Sequence, residues 1–355
     1  MRYRRVPVPT RGGVFFFGEA RDGGLEWSGD VRQRAGGTAR GGSVTPLQPE
    51  PLNTVPNYEL NGPRNAPVVV VLGGISATRH VASSQWDPFP GWWEDVVGPD
   101  KAIDTTRYRV LSFDWIDGGR GPEGRPRRRI TTHDQADALA EVLDIVGVPQ
   151  AHSIVGASFG GMVALAFAEK YGHRVGKVAA IGAAHESTPL STGLRAVQRR
   201  IVELGIDTGQ PDRAMALARA LAMTTYRTEH ELRERFDNTA DVQPNGDVVF
   251  PVERYLLVNG ERFAARISPE RFLALSLSTD LHKVDPAVIT VPATLIIEEG
   301  DLLVPEAKVR ELASRLGGPT DVVVLPTNIG HDAFLVEPDK IGPILRTALF
   351  DRVQA

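Results

Sequence analysis

The apolar positions of this chain change rhythm along its length, and the change predicts its elements. At 67–74 (PVVVVLGG) a continuous β-branched run ends in glycines, the pattern of a strand buried on both faces. Residues 108–115 (YRVLSFDW), 152–157, 177–181, 293–297 (ATLII) and 321–325 read as further strands. Between them the period lengthens to that of a helix. Ala136, Leu139, Ala140, Leu143 and Val146 share one face of a helix over 132–146, with Thr132 as its expected N-cap and Gln135 three residues on. Helices are also predicted over 159–171, 306–316 and 341–350. Strands alternating with helices imply an α/β fold: a mostly parallel, doubly wound sheet with helices on both faces.

Two stretches break the alternation. Residues 186–285 carry helical patterns, such as 194–204 and 213–222, among irregular segments. They are expected to form a helical cap inserted between two parts of a core, 56–185 and 286–355. The first 50 residues hold 10 Gly and 8 Arg without sustained periodicity, so 1–55 is expected to be an irregular arm, with one short strand at 13–18 (GVFFFG).

Candidate chemistry starts at 155–162 (VGASFGGM), where Gly156-x-Ser158-x-Gly160 stands between an apolar strand and an Ala/Leu/Phe-rich helix. A serine on a sharp strand-to-helix turn needs flanking residues without Cβ, and its hydroxyl then projects at the sheet edge beside a helix N-terminus. A serine nucleophile needs a base, and in the α/β-hydrolase order the acid and then the histidine follow it. Of eight histidines only His331 lies after the last predicted strand, in NIGHDAFL. Asp301, in EGDLLVP just past ATLII, is the expected acid, with Glu298 and Glu299 as nearby competitors. Ser158, Asp301 and His331 are therefore the candidate nucleophile, acid and base. Two backbone N–H groups should face the developing oxyanion: that of Phe159, next to the nucleophile, and that of Ile75, in the glycine-rich loop after the first long strand.

Composition narrows the alternatives. The 355 residues carry 40 Lys+Arg against 44 Asp+Glu, a net charge of -4, which gives no electrostatic case for nucleic acid as a partner. Cysteine is absent, which excludes disulfides, thiolate nucleophiles and Cys-ligated zinc, and fits a cytoplasmic protein. No run of 18 apolar residues is present, so no membrane span is expected. No metal cluster or phosphate-binding loop is seen. Only 6 of the 40 bases are Lys, an excess of Arg that reads chiefly as genome base composition.

Taken together, GGISATRHV (73–81), PGWWEDVVGPDKAIDTTRYRVLSFD (90–114), GASFGGM (156–162), VQRRI (197–201), TYRT (225–228), EEGDLLVP (298–305) and GHDAFL (330–335) resemble the homoserine O-acyltransferase family of α/β-hydrolase-fold enzymes. The resemblance runs from about residue 57 to the C-terminus. It is closest to a compact succinyl-transferring subgroup, whose GGISA-x-RH segment is matched here and whose SxDLHKVDP-like segment falls at 278–286.

The resemblance implies a ping-pong transfer in methionine biosynthesis: Ser158 takes an acyl group from acyl-CoA, and the hydroxyl of L-homoserine then attacks the acyl-serine. It implies that Arg199 binds the amino-acid carboxylate, with Arg195 and Arg200 as competitors, and that Asp332 binds the ammonium. Tyr226 either lines that pocket or sits in the core. Arg79 either pairs with the distal carboxylate of a succinyl donor or forms a surface salt bridge. Acyl-CoA would be a cosubstrate, with no bound cofactor, and family members are typically homodimers. Ala157 and Phe159 around the serine, and GGISATRHV in place of a more usual segment, leave open succinyl against acetyl and homoserine against serine. The competing reading is an esterase or thioesterase that uses the same residues with water.

Overall fold

The structure, a computed structural model, describes residues 55–121 and 125–349. The strand expected at 13–18 and the arm that contains it lie outside these residues. The main sheet has seven strands: β1 (Tyr58–Asn61), β2 (Val68–Leu72), β3 (Arg109–Phe113), β4 (Ser153–Ala157), β5 (Val178–Ile181), β6 (Ala293–Glu298) and β7 (Thr320–Leu325). Their spatial order is β1-β3-β2-β4-β5-β6-β7. Strand β1 runs antiparallel to β3, and every other neighbouring pair is parallel.

The continuous apolar runs are explained by burial on both sides of the sheet. All five residues of β2 are buried. Val68, Val70 and Leu72 face one core, while Val69 and Val71 face the other, as the two-residue period of a strand requires. The first core is completed by α1 (Thr132–Ile145), α2 (Phe159–Tyr171) and, through Val309 and Leu312, α8 (Glu306–Arg315). The second is completed by Trp93, Val96 and helix α10 (Pro338–Leu349). Helix α2 has ten of its thirteen residues buried, which is why its sequence is apolar nearly all round instead of amphipathic.

Between β5 and β6 the chain forms α3 (Pro189–Asp207), α4 (Pro211–Tyr226), α5 (Glu229–Arg235), α6 (Pro251–Ala264) and α7 (Pro269–Leu281), with one short antiparallel ladder at 241–242 and 248–249. These helices share a small core of their own, Val202, Met215, Ala218, Phe263, Phe272 and Leu273. Ile75, in the loop after β2, packs against both this core and that of the sheet.

One expectation needs correction. Helix α1 is capped by Thr131, not Thr132: the Thr131 side chain accepts from the Asp134 amide, and the Asp134 carboxylate accepts from the Thr131 amide. Thr132 is buried and bonds His282 instead, and Gln135 is turned inward to bond both the amide and the carbonyl of Ile116. Helices α6 and α7 lie within the stretch 186–285 expected to be helical, each beginning with proline at its first position. Strand β1 has only four residues, half of them polar and none buried, so no apolar run announces it.

Candidate active site

Four chain segments converge at the C-terminal edge of the parallel strands, the edge where open α/β sheets bind their ligands. After β2 comes Gly73–Gly74–Ile75, after β4 comes Ser158, after β6 Asp301, and after β7 the loop carrying His331.

Ser158 adopts φ 53° and ψ −119°, a strained conformation for a residue with a side chain. The two glycines of its motif have distinct steric reasons. A Cβ on Gly156 would lie 2.2 Å from the Gly160 carbonyl oxygen, and a Cβ on Gly160 would lie 2.3 Å from that of Leu72. Hydrogen bonds from Ser158 N to Ile181 O (2.8 Å) and from Gly160 N to Gly73 O (2.9 Å) fix the turn to its neighbouring strands.

The structure brings the three sequence-predicted polar residues together. His331 Nε2 lies 2.8 Å from Ser158 Oγ, and His331 Nδ1 lies 2.7 Å from Asp301 Oδ2. The other oxygen of Asp301 accepts from the amides of Leu303 (2.7 Å) and Val304 (3.1 Å), so the carboxylate is held on both sides. Burial of His331 opposes its charge, but the negative charge of Asp301 and its hydrogen bond outweigh this and raise the imidazole pKa above its ordinary range. Glu299 is exposed, whereas Glu298 is fully buried, with one oxygen 3.9 Å from His331 Nδ1. Burial holds the Glu298 carboxyl well above the usual carboxylate range, against the pull of His331 and with the push of Asp301.

Trp115 orients the loop after β2. Its indole N–H donates to Gly74 O (3.0 Å), and Ala77 N donates to the same carbonyl (2.9 Å). Because a trans peptide places its N–H opposite its C=O, this turns the Ile75 amide away from Trp115. The Trp115 ring also meets the Phe159 ring edge-on, with centroids 5.0 Å apart. Gly74, Ile75, Ser158 and Phe159 all line one cavity of about 340 Å³, together with His331 and residues of the helices between β5 and β6.

The remaining candidates separate. Tyr226 and Asp332 line the cavity. Tyr226 stands over the imidazole with ring centroids 5.9 Å apart, and its carbonyl and the Thr228 amide pin the His331 loop through Asp332 N and Ile329 O. Asp332 is ion-paired with Arg227 at 3.2 Å. Arg199 is not among the lining residues. Its guanidinium binds Asp280 at 2.6 Å and both Ser276 oxygens, while Arg195 binds the other Asp280 oxygen at 2.6 Å. The Asp280 side chain is only 5% exposed, so the two arginines are the counter-charge that a buried carboxylate needs. Arg195 does reach the cavity wall, and Arg200 is exposed and paired with Glu203. Arg79 is not among the lining residues and is paired with Asp114 and Glu59.

One lining residue carries no sequence signal of its own: Arg219. Its guanidinium lies between the rings of Tyr226 (4.9 Å) and Phe263 (4.8 Å) and donates to the Tyr226 hydroxyl at 3.3 Å. Among the described residues it forms no ion pair with a carboxylate. A cation held by aromatic faces and free of an acid, 7 residues before Tyr226 on the same helix face, is suited to bind an anionic ligand.

With this geometry the chain can be compared with known proteins. The α/β-hydrolase fold family matches residues 67–338. The homoserine O-succinyltransferase of Xanthomonas campestris pv. campestris is 43% identical over 82% of this chain and 78% of its own length. The L-serine/homoserine O-acetyltransferase of Streptomyces lavendulae is 34% identical, covering 81% and 89%. The serine O-succinyltransferase of Litchfieldella anticariensis is 31% identical, covering 78% and 86%. Among solved structures, a homoserine O-acetyltransferase from Bacillus anthracis superimposes with a TM-score of 0.74 at 19% identity, over 84% of this chain and 92% of its own, and the esterase E22 gives the same score at 20%. These last two establish the fold. The chain is an enzyme of the α/β-hydrolase fold and belongs to its homoserine and serine O-acyltransferase family.

Proposed function

We propose that this enzyme transfers an acyl group from acyl-CoA to the side-chain hydroxyl of L-homoserine, a step toward methionine, through an acyl-serine on Ser158. Succinyl-CoA is the favoured donor, in line with the 43% identical relative, and acetyl-CoA the alternative. The observation that carries the reading is the hydrogen-bonded Ser158–His331–Asp301 chain, whose Ser158 and His331 line one cavity with the acid-free Arg219. An esterase needs only the first of these.

His331 Nε2 takes the Ser158 proton as Oγ attacks the thioester carbon. Asp301 holds the other ring nitrogen and stabilises the imidazolium. The amides of Ile75 and Phe159 stabilise the oxyanion, with the Ile75 peptide held by Trp115. Nε2 returns its proton to the CoA sulfur as the C–S bond breaks. The acceptor hydroxyl then gives its proton to Nε2 and attacks the acyl-serine carbon, and Ser158 leaves reprotonated. Arg219 takes the acceptor carboxylate, since Asp280 holds Arg199, and the ammonium takes the Asp332 carboxylate over from Arg227, with which it is paired at 3.2 Å. Held at both ends, the amino acid presents its hydroxyl ahead of water. L-Serine is the variant acceptor. Arg79 plays no part in donor choice, because Asp114 and Glu59 engage it and it does not line the cavity.

Residues 186–285 act as the cap, supported by their own small core and by their share of the cavity wall. A second copy of the chain covers the exposed stripe Leu190, Val197 and Leu204, spaced by seven on α3 and 52–64% exposed. Among the described residues no helix is long and apolar enough to cross a membrane, in keeping with a cytoplasmic site of action.

With purified protein, homoserine and each acyl-CoA, O-succinylhomoserine is expected as the main product alongside free CoA. CoA release at a rate indifferent to homoserine, with only free acid formed, refutes the transfer. Arg219→Ala should raise the homoserine KM about 10- to 100-fold, the loss of a charged hydrogen bond worth about 1.5–3 kcal/mol, and leave Ser158 acylation by the donor alone intact. Because the base must be neutral, donor kcat/KM should rise with pH along an acid limb above the ordinary histidine value of about 6.5. Removing the charge in Asp301→Asn should move that limb to lower pH, and a wild-type limb at or below the ordinary value contradicts the assignment. Light scattering should give twice the protomer mass, reduced to the protomer in Val197→Glu.

A further inference from the structure

Glu298 is a carboxylic acid beside the catalytic base that the steps above do not use. Its side chain is 0% exposed, and it ends β6, three residues before Asp301. One oxygen accepts from the Phe334 amide at 2.9 Å, which ties the start of α9 (Ala333–Val336), and with it the His331 loop, to the sheet. The other oxygen has no hydrogen-bond partner. It lies 3.9 Å from His331 Nδ1, one short movement from the position that Asp301 now holds at 2.7 Å.

The space around it is kept open by Gly182, just past β5. This residue has φ +52°, and a Cβ there would stand 2.5 Å from Glu298 Oε2 and 3.3 Å from the His331 ring. The other charged groups facing this corner are Asp301, on the same connection after β6, and Asp332, beside His331 and paired with Arg227. A buried, half-satisfied carboxyl is costly, and here its free oxygen faces the imidazole.

We propose that Glu298 is a second acid for His331: it positions the imidazole-bearing loop in the wild-type protein and takes over Nδ1 when Asp301 is removed. The inference rests on the reading of Ser158, His331 and Asp301 as the catalytic residues, but not on the acceptor or the donor. With Asp301 in place, burial favours the protonated form of Glu298, which then adds less to the negative charge that Asp301 and Asp332 already present to His331. Without Asp301, its ionised form would hold the tautomer that leaves Nε2 free to accept from Ser158.

The test uses the full chain and an activated aryl ester, whose cleavage needs only the Ser158–His331 pair and is therefore independent of acyl transfer to homoserine. Wild type, Asp301→Ala, Glu298→Gln and the double variant are compared across pH. Asp301→Ala should lose on the order of 10²-fold in kcat, short of the ~10⁴-fold loss of a triad whose acid has no stand-in. Its residual rate should rise with pH in two steps, one for His331 and one for Glu298, and the double variant should fall a further ~10-fold or more and keep only the His331 step. An Asp301→Ala rate as low as that of the double variant, or a profile with a single step, overturns the proposal. If the Glu298 variants fail to fold, the number of steps in the Asp301→Ala pH profile still decides it.

Discussion

The backbone of Ser158 is the constraint on which the rest of the site depends. A side-chain residue at φ 53° stores roughly 1–3 kcal/mol of strain, and it persists only where its surroundings leave no alternative. Here β4, β5, the loop after β2 and the buried helix α2 all meet at this turn, and Gly156 and Gly160 let them approach to van der Waals contact. The same turn aims the hydroxyl at His331 and leaves the Phe159 amide at the start of α2. Chemistry and fold stability are thus set by one local geometry.

A second constraint acts on the helices above the sheet. Asp280 is buried on α7 and demands positive charge, and Arg195 and Arg199 on α3 supply it. This cross-link holds α3 against α7 and occupies the Arg199 guanidinium. Arg219 has no such acid, so the aromatic faces of Tyr226 and Phe263 hold its charge beside the cavity. Tyr226 thus lies beside both the Arg219 guanidinium and the His331 ring.

Ser158, Asp301 and His331 were legible in the sequence because each follows a strand with a strong apolar signature, and chain order then left one histidine to choose. The strands were legible because β2 and β4–β6 are buried on both faces and so read as unbroken apolar runs. Strand β1 was not, since an edge strand of four half-exposed residues carries no such run. Thr132 was mistaken for the cap of α1 because two threonines stand together and only the position of the Asp134 carboxylate distinguishes them. The choice among arginines was illegible for a deeper reason. Whether a guanidinium is free depends on which carboxylate the fold sets beside it, and Asp280 lies some 80 positions from Arg199 in sequence while Asp114 lies 35 from Arg79.

The central claim is that an acyl group rests on Ser158 and leaves on an amino-acid hydroxyl. Intact-mass measurement after mixing the protein with succinyl-CoA alone tests it most directly. The account predicts a protein heavier by one succinyl group, located at Ser158 by peptide mapping and absent in Ser158→Ala, whose mass returns to that of the free protein when homoserine is added, with O-succinylhomoserine appearing. An adduct that survives in Ser158→Ala, or one that decays to free succinate regardless of homoserine, would contradict it.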